Sequence, residues 1–146
     1  MTPRRVVVTG ASGVTSFGNS WKEIRPKLEE GKNAVVRMPG WEDFKGLNAL
    51  IAAPVRDFSL PDTYTRKQTR SMGTVSRYAV LSTENALRNA GLLGSAELGA
   101  GRAGVAFGSC NGSMNGIVEF GDMLMNHDTG SVNGTTYVRM MPHTAA

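Results

Sequence analysis

The chain has 146 residues, 40% hydrophobic and 19% charged, with a formal net charge of +4. That is globular composition, about one domain's worth, and it excludes a disordered chain. The single cysteine, Cys110, excludes an internal disulfide and fits a reducing compartment, and no window approaches the ~18 apolar residues of a membrane span.

Residues Met1 to Arg5 carry no long apolar stretch of the signal-peptide kind, so the expected location is cytoplasmic. Arg5 to Thr9 (RVVVT) is rich in β-branched residues, with apolar side chains at successive positions. This predicts a strand buried on both faces. Gly10, Gly13 and Gly18 mark the loop that follows. Ser20 and Glu23 have the spacing of a capping box. They predict a helix running to about Glu30, stopped by Gly31, with Trp21, Ile24 and Leu28 on one face. Pro26 should kink or tighten it.

Residues 32–48 read as irregular, with a turn at Pro39-Gly40. Leu50 to Val55 predicts a strand whose end Pro54 demotes to an edge. Residues 56–73 are polar and basic. The clearest helix runs from Val75 to Ala90. Its small residues Ala79, Ser82, Ala86 and Ala90 recur at spacings of three and four, flanked by Val80 and Leu87, and allow close packing. Ala103 to Phe107 (AGVAF) predicts a second buried strand, broken at Gly108-Ser109. Met114, Ile117, Val118 and Met125 predict a helix over 113–126, and a loop follows over 126–135. The small apolar residues at the chain end predict the first turn of another helix. Alternating strands and helices imply an α/β protein with a largely parallel sheet.

The stretch VVVTGASGVTSFG places glycines after a first strand, as phosphate-binding turns do. Its spacing is G-x-x-G-x-x-x-x-G, which meets neither G-x-G-x-x-G nor the TGxxxGxG of short-chain dehydrogenases. The glycines are read as turning the chain tightly off a strand, and a Rossmann-type NAD(P)-dependent oxidoreductase is the weaker alternative. Cys110, in FGSCNGS, sits before a helix N-terminus, which lowers thiol pKa. No histidine–acid partner can be assigned to it, and the other reading is a small side chain at a crowded turn. His127 and His143 lie 16 apart with no cysteine or carboxylate at zinc-ligand spacing, so no metal is expected. Arg66, Lys67 and Arg70 form the strongest cationic cluster. It either steers an acidic partner or is a solvated helix face. No nucleic-acid-binding motif accompanies it.

Taken in order, several segments resemble the β-ketoacyl-acyl-carrier-protein synthases (3-oxoacyl-ACP synthases) of the chain-elongating type. RRVVVTGASGVTSFGNSW is similar to that family's first strand and loop, and GKNAV to the segment ending its first helix. TRKQTRSMGTVSRYAVLSTENALRNAGL is similar to its basic segment and long helix. RAGVAFGSCNGSMNGI matches its strand ending in glycine-serine, and VRMMPHTAA the approach to its next helix. The resemblance spans nearly the whole chain and is weakest over 38–60.

The resemblance implies a thiolase-like layered α-β-α-β-α fold of two similar halves, with residues 1–146 an incomplete N-terminal half. It also implies a cytoplasmic homodimer with no metal or nucleotide cofactor. The reaction implied is decarboxylative Claisen condensation in fatty-acid or polyketide biosynthesis. An acyl chain is held on a cysteine as a thioester, malonyl-ACP is decarboxylated, and the carbanion attacks the thioester. The family's nucleophilic cysteine and catalytic histidines lie further along, so no catalytic residue is expected in this span. Alone, the span should be inactive and expose apolar surface. By position, Arg66, Lys67 and Arg70 stand where the family presents basic residues to acyl carrier protein, with Ser71 replacing a lysine-like neighbour. Cys110 and Asn111 stand where it lines the acyl-chain pocket, and a polar Asn111 departs from its pattern. A ketosynthase-like partner subunit without the nucleophile is the alternative left open.

Overall fold

The structure, a computed structural model, describes residues 5–142. The helix turn predicted at the chain end, His143 included, lies outside the described residues. In order come α1 (Trp21–Glu29), β1 (Val36–Arg37), β2 (Ile51–Ala52), α2 (Arg66–Thr69), α3 (Thr74–Asn89), α4 (Met114–Asn126) and α5 (Gly134–Met140), with 3-10 turns at Trp41–Asp43 and Ala96–Gly99. Among the described residues no helix is long and apolar enough to cross a membrane.

The expected parallel sheet is absent among the described residues. Their sheet is one antiparallel pair, with Val36 opposite Ala52 and Arg37 opposite Ile51. The strand predicted at Leu50–Val55 is thus two residues long. Its partner lies in the stretch read as irregular. Residues 5–9 and 103–107, predicted as buried strands, carry no regular structure. Val6, Val8 and Val105 are 93%, 88% and 77% exposed. A strand is made by the ladder of its neighbours, and no described segment pairs with either run. β-branched composition supplies the propensity but not the partner.

α1, α3 and α4 stand where the sequence predicts helices, whereas α2 and α5 lie in stretches where it predicts none. α3 ends with Ala90 as its C-cap, and Gly91 turns out of it at φ +69°. Its small-residue face does what small residues allow. A Cβ on Gly10 would lie 2.9 Å from the Ala90 nitrogen and Cβ and closer still to the Ala86 carbonyl oxygen. Gly10 is therefore required by the crossing of two backbones. The Asn89 side chain holds the next residue, accepting from the Ala11 N–H at 3.1 Å. Glycine at this position needs no phosphate to explain it.

α1 begins at the predicted Ser20, but that side chain makes no capping bond. Glu23 reaches one residue further and accepts from the Asn19 N–H at 2.9 Å, so neither bond of the predicted box forms. The helix stays continuous through Pro26 and tightens at its end, where the Gly31 N–H donates to the Leu28 carbonyl at 3.0 Å. Of the predicted apolar face only Ile24 is buried.

α4 stands where predicted. Met114, Ile117, Val118 and Met125, whose spacing predicts it, are all exposed. The inner face is Gly116, whose missing side chain lets α5 approach: a Cβ there would lie 3.0 Å from Thr136 O. α5 is capped by Asn133, which accepts from the Thr135 and Thr136 N–H groups. Beneath it, Glu119 accepts from Thr136 Oγ1 at 2.6 Å and from Arg139 Nη2 at 2.7 Å, with Thr136 fully buried. The Ser113 N–H donates to the Arg139 carbonyl at 2.8 Å. Ser113 Oγ accepts from the Val75 N–H at 3.2 Å. This chain of bonds ties α5 to the start of α3.

Candidate functional site

The predicted cations gather on one turn. Arg66 and Lys67 open α2, and Arg70 is its C-cap. All three are exposed, and none joins an ion pair among the described residues. Arg66 and Arg70 are four apart, so their charges repel along one side of the turn, a cost of about 0.2–0.5 kcal/mol in a helix. A four-residue helix has no propagation to offset that cost; its support must come from outside.

The support begins with Thr65. Its Oγ1 accepts from the Gln68 N–H at 3.4 Å, and Gln68 Oε1 accepts from the Thr65 N–H at 2.9 Å, a complete capping box. Thr65 and Gln68 have the T-x-x-Q spacing that announces such a box, a signal present in the sequence but not used above. The second support is Tyr64, whose hydroxyl donates to the Glu84 carboxylate on α3. Glu84 also accepts from Arg88 Nη2, one turn further along. Arg88 Nη1 in turn donates to Asn85 Oδ1 at 2.6 Å. Burial, then the Glu84 hydrogen bond and charge, push the Tyr64 phenol up to about 12. The Tyr64 hydrogen bond, seconded by Arg88, holds Glu84 below the usual carboxylate range. A third hold lies upstream, where Phe58 packs edge-on against Tyr78 of α3 with ring centroids 4.5 Å apart.

Tyr64 and Glu84 also sit at the rim of a cavity of about 400 Å³ walled by Ala79, Val80, Leu87, Leu93, Val105 and Phe107. Cys110 and Asn111 are not among its lining residues. Both are exposed, in the connection leading to α4, and the Asn111 carbonyl accepts from Ser109 Oγ at 2.5 Å. His127 is the exposed C-cap of α4, in the left-handed region at φ 53°. Among the described residues no group of histidine, cysteine and carboxylate side chains could hold a metal.

Comparison with known proteins gives the class. The family model for the beta-ketoacyl synthase N-terminal domain matches residues 3–146. The chain is 33% identical over 110 residues to 3-oxoacyl-[acyl-carrier-protein] synthase 1 of Escherichia coli K12, covering 75% of this chain and 27% of that protein. It is 37% identical over 90 residues to nodulation protein E of Rhizobium meliloti, covering 61% of this chain and 22% of that protein. A crystal structure of a beta-ketoacyl synthase from Burkholderia phymatum superposes with a TM-score of 0.85 at 48% identity, over 99% of this chain and 35% of that one. The ishigamide ketosynthase/chain length factor shares the fold, with a TM-score of 0.69 at 22% identity.

The chain belongs to the β-ketoacyl synthase family, corresponds to its N-terminal domain and takes that family's thiolase-like fold. It spans about a quarter of the length of the curated relatives.

Proposed function

We propose that this segment belongs to an enzyme performing decarboxylative Claisen condensation of an acyl thioester with malonyl-acyl-carrier-protein, in fatty-acid or polyketide biosynthesis. The observation that carries this reading is the 48% identity to a β-ketoacyl synthase across 99% of the chain. In the reaction the malonyl carboxylate leaves as carbon dioxide and its bonding electron pair stays on the α-carbon. That carbanion attacks the acyl thioester carbonyl, a new C–C bond forms, and the cysteine thiolate departs. The groups that run this chemistry in the family lie beyond the matched segment, and residues 1–146 supply scaffold and recognition.

Arg66, Lys67 and Arg70 contact the acidic carrier protein. Their exposure and their lack of described ion-pair partners support this, since uncompensated cations steer and orient an anionic partner. Cys110 and Asn111 border the acyl chain in the complete protein. Their place after Gly108-Ser109, where the family's pocket-lining residues stand, supports that reading. The complete protein works as a cytoplasmic homodimer with no metal or nucleotide cofactor.

The test is condensation by the complete protein, supplied with acyl and malonyl thioesters of a carrier protein and followed by mass spectrometry. A β-ketoacyl product with loss of carbon dioxide is expected. Carrier-protein binding without product would make the protein a non-catalytic partner subunit, and saturable NADPH binding would restore the oxidoreductase reading. Replacing Arg66, Lys67 and Arg70 by alanine should raise KM for the carrier-protein thioester about tenfold and flatten its salt dependence.

A further inference from the structure

The turn that carries the three cations cannot hold its own shape. α2 is a single turn, shorter than any helix that is stable alone, and it carries like charges four residues apart. The segment before it has no regular structure over residues 58–61 and includes Asp57 at φ 53°. The turn is attached to α3 on both sides: Arg70 runs on through Ser71 and Met72 to Gly73, the N-cap of α3, and Tyr64, immediately before the Thr65 cap, donates to Glu84 of α3. α3 is the best-formed helix of the molecule, 16 residues long with Ala79 and Leu81 buried. Glu84 is itself held by Arg88, and Arg88 by Asn85, so the acceptor is fixed before Tyr64 reaches it.

We propose that Tyr64 and Glu84 are positioning residues for carrier-protein docking: their hydrogen bond clamps the α2 turn to α3 and presents Arg66, Lys67 and Arg70 as a preformed array. This rests on the carrier-protein reading of those cations. The physical gain is preorganisation. A turn free to move would have to be ordered on each encounter, and that ordering is charged against affinity. The hydroxyl is the part that matters, because the aromatic ring of Tyr64 also lies against the 400 Å³ apolar cavity, where a phenylalanine ring fits equally.

The experiment uses the complete synthase with two acyl substrates, a carrier-protein thioester and a small pantetheine thioester that lacks the protein. Tyr64→Phe should raise KM for the carrier-protein thioester roughly fivefold, with kcat unchanged and both constants for the pantetheine thioester unchanged. Glu84→Ala should match it. Glu84→Gln keeps an acceptor for the phenol and should recover most of the loss. In the background of the triple alanine variant of the cations, Tyr64→Phe should have no further effect. Equal loss on both substrates would show a general structural role and overturn the proposal. So would an unchanged KM in both Tyr64→Phe and Glu84→Ala while the triple variant raises it. If the triple variant itself leaves KM unchanged, the carrier-protein reading fails and the clamp falls with it.

Discussion

Gly112 should not tolerate alanine. Gly112 is buried, immediately before α4. A Cβ there would lie 2.8 Å from the Arg139 carbonyl oxygen and closer still to the Met140 carbonyl. These are backbone atoms, so no rotamer change relieves the overlap, and the end of α5 must move away. That movement stretches the Ser113 N–H to Arg139 carbonyl bond, 2.8 Å long and adjacent to the clash. Overpacking costs about 1–3 kcal/mol and a broken buried hydrogen bond about 1–3 kcal/mol, which places Gly112→Ala at about 3 kcal/mol. Amide hydrogen exchange in the complete protein reads this, because it reports local opening. At ~1.4 kcal/mol per factor of ten, protection over residues 134–140 should fall roughly a hundredfold in Gly112→Ala. Gly112→Ala protection within a factor of about three of wild type would mean that the α4–α5 approach is not as close as described.

The Tyr64–Glu84 bond also sets a pH dependence. The folded phenol, pushed up to about 12, titrates above an unfolded tyrosine at about 10, so the folded state holds the proton longer. Its contribution is complete below pH 10 and is lost as pH rises toward 12. Tyrosinate absorbance should show one phenol titrating late, absent in Tyr64→Phe, and wild-type stability should drop more over that window than the variant's. At the other helix pair, Thr136→Val keeps the shape of a fully buried side chain but removes the bond to Glu119 and those accepted from the Asn133 N–H and Arg139 Nη2. It should cost about 1–3 kcal/mol, read by exchange over residues 134–140; a change under about 0.5 kcal/mol would place the hold on α5 in Arg139 alone.

The helices were legible because their signals are local. Gly91 after α3, the 3.6-residue spacing of its small residues and the Gly31 stop of α1 all act within a turn or two of themselves. The Arg66, Lys67 and Arg70 cluster was legible for the same reason. Its clamp was not, because Tyr64 and Glu84 are 20 residues apart and nothing in either residue's neighbourhood names the other. Glu23 shows the limit of local signals: its spacing from Ser20 is that of a capping box, yet its carboxylate serves Asn19 instead. The Gly10 signal was real, and the crossing of two backbones accounts for it. Close approach of backbone to backbone asks for glycine as strictly as close approach of backbone to phosphate.

The misread segments share a cause. Residues 5–9, residues 103–107 and the stripe Met114, Ile117, Val118 and Met125 all have sequences written for burial, and all are exposed. Apolar pattern reports the burial a segment is selected for, not the burial that residues 5–142 can supply. A solvated domain that kept Val6, Val8, Val105 and Met125 on its surface would lose the hydrophobic term that drives folding, about 25 cal/mol for each Å² left in water. Scattered exposed apolar residues are normal, but runs on consecutive positions mark a covered surface. Two such runs with strand propensity and no ladder, beside a helix whose apolar stripe faces outward, fit a layered α-β-α-β-α architecture. In it, sheets and helical layers cover such surfaces.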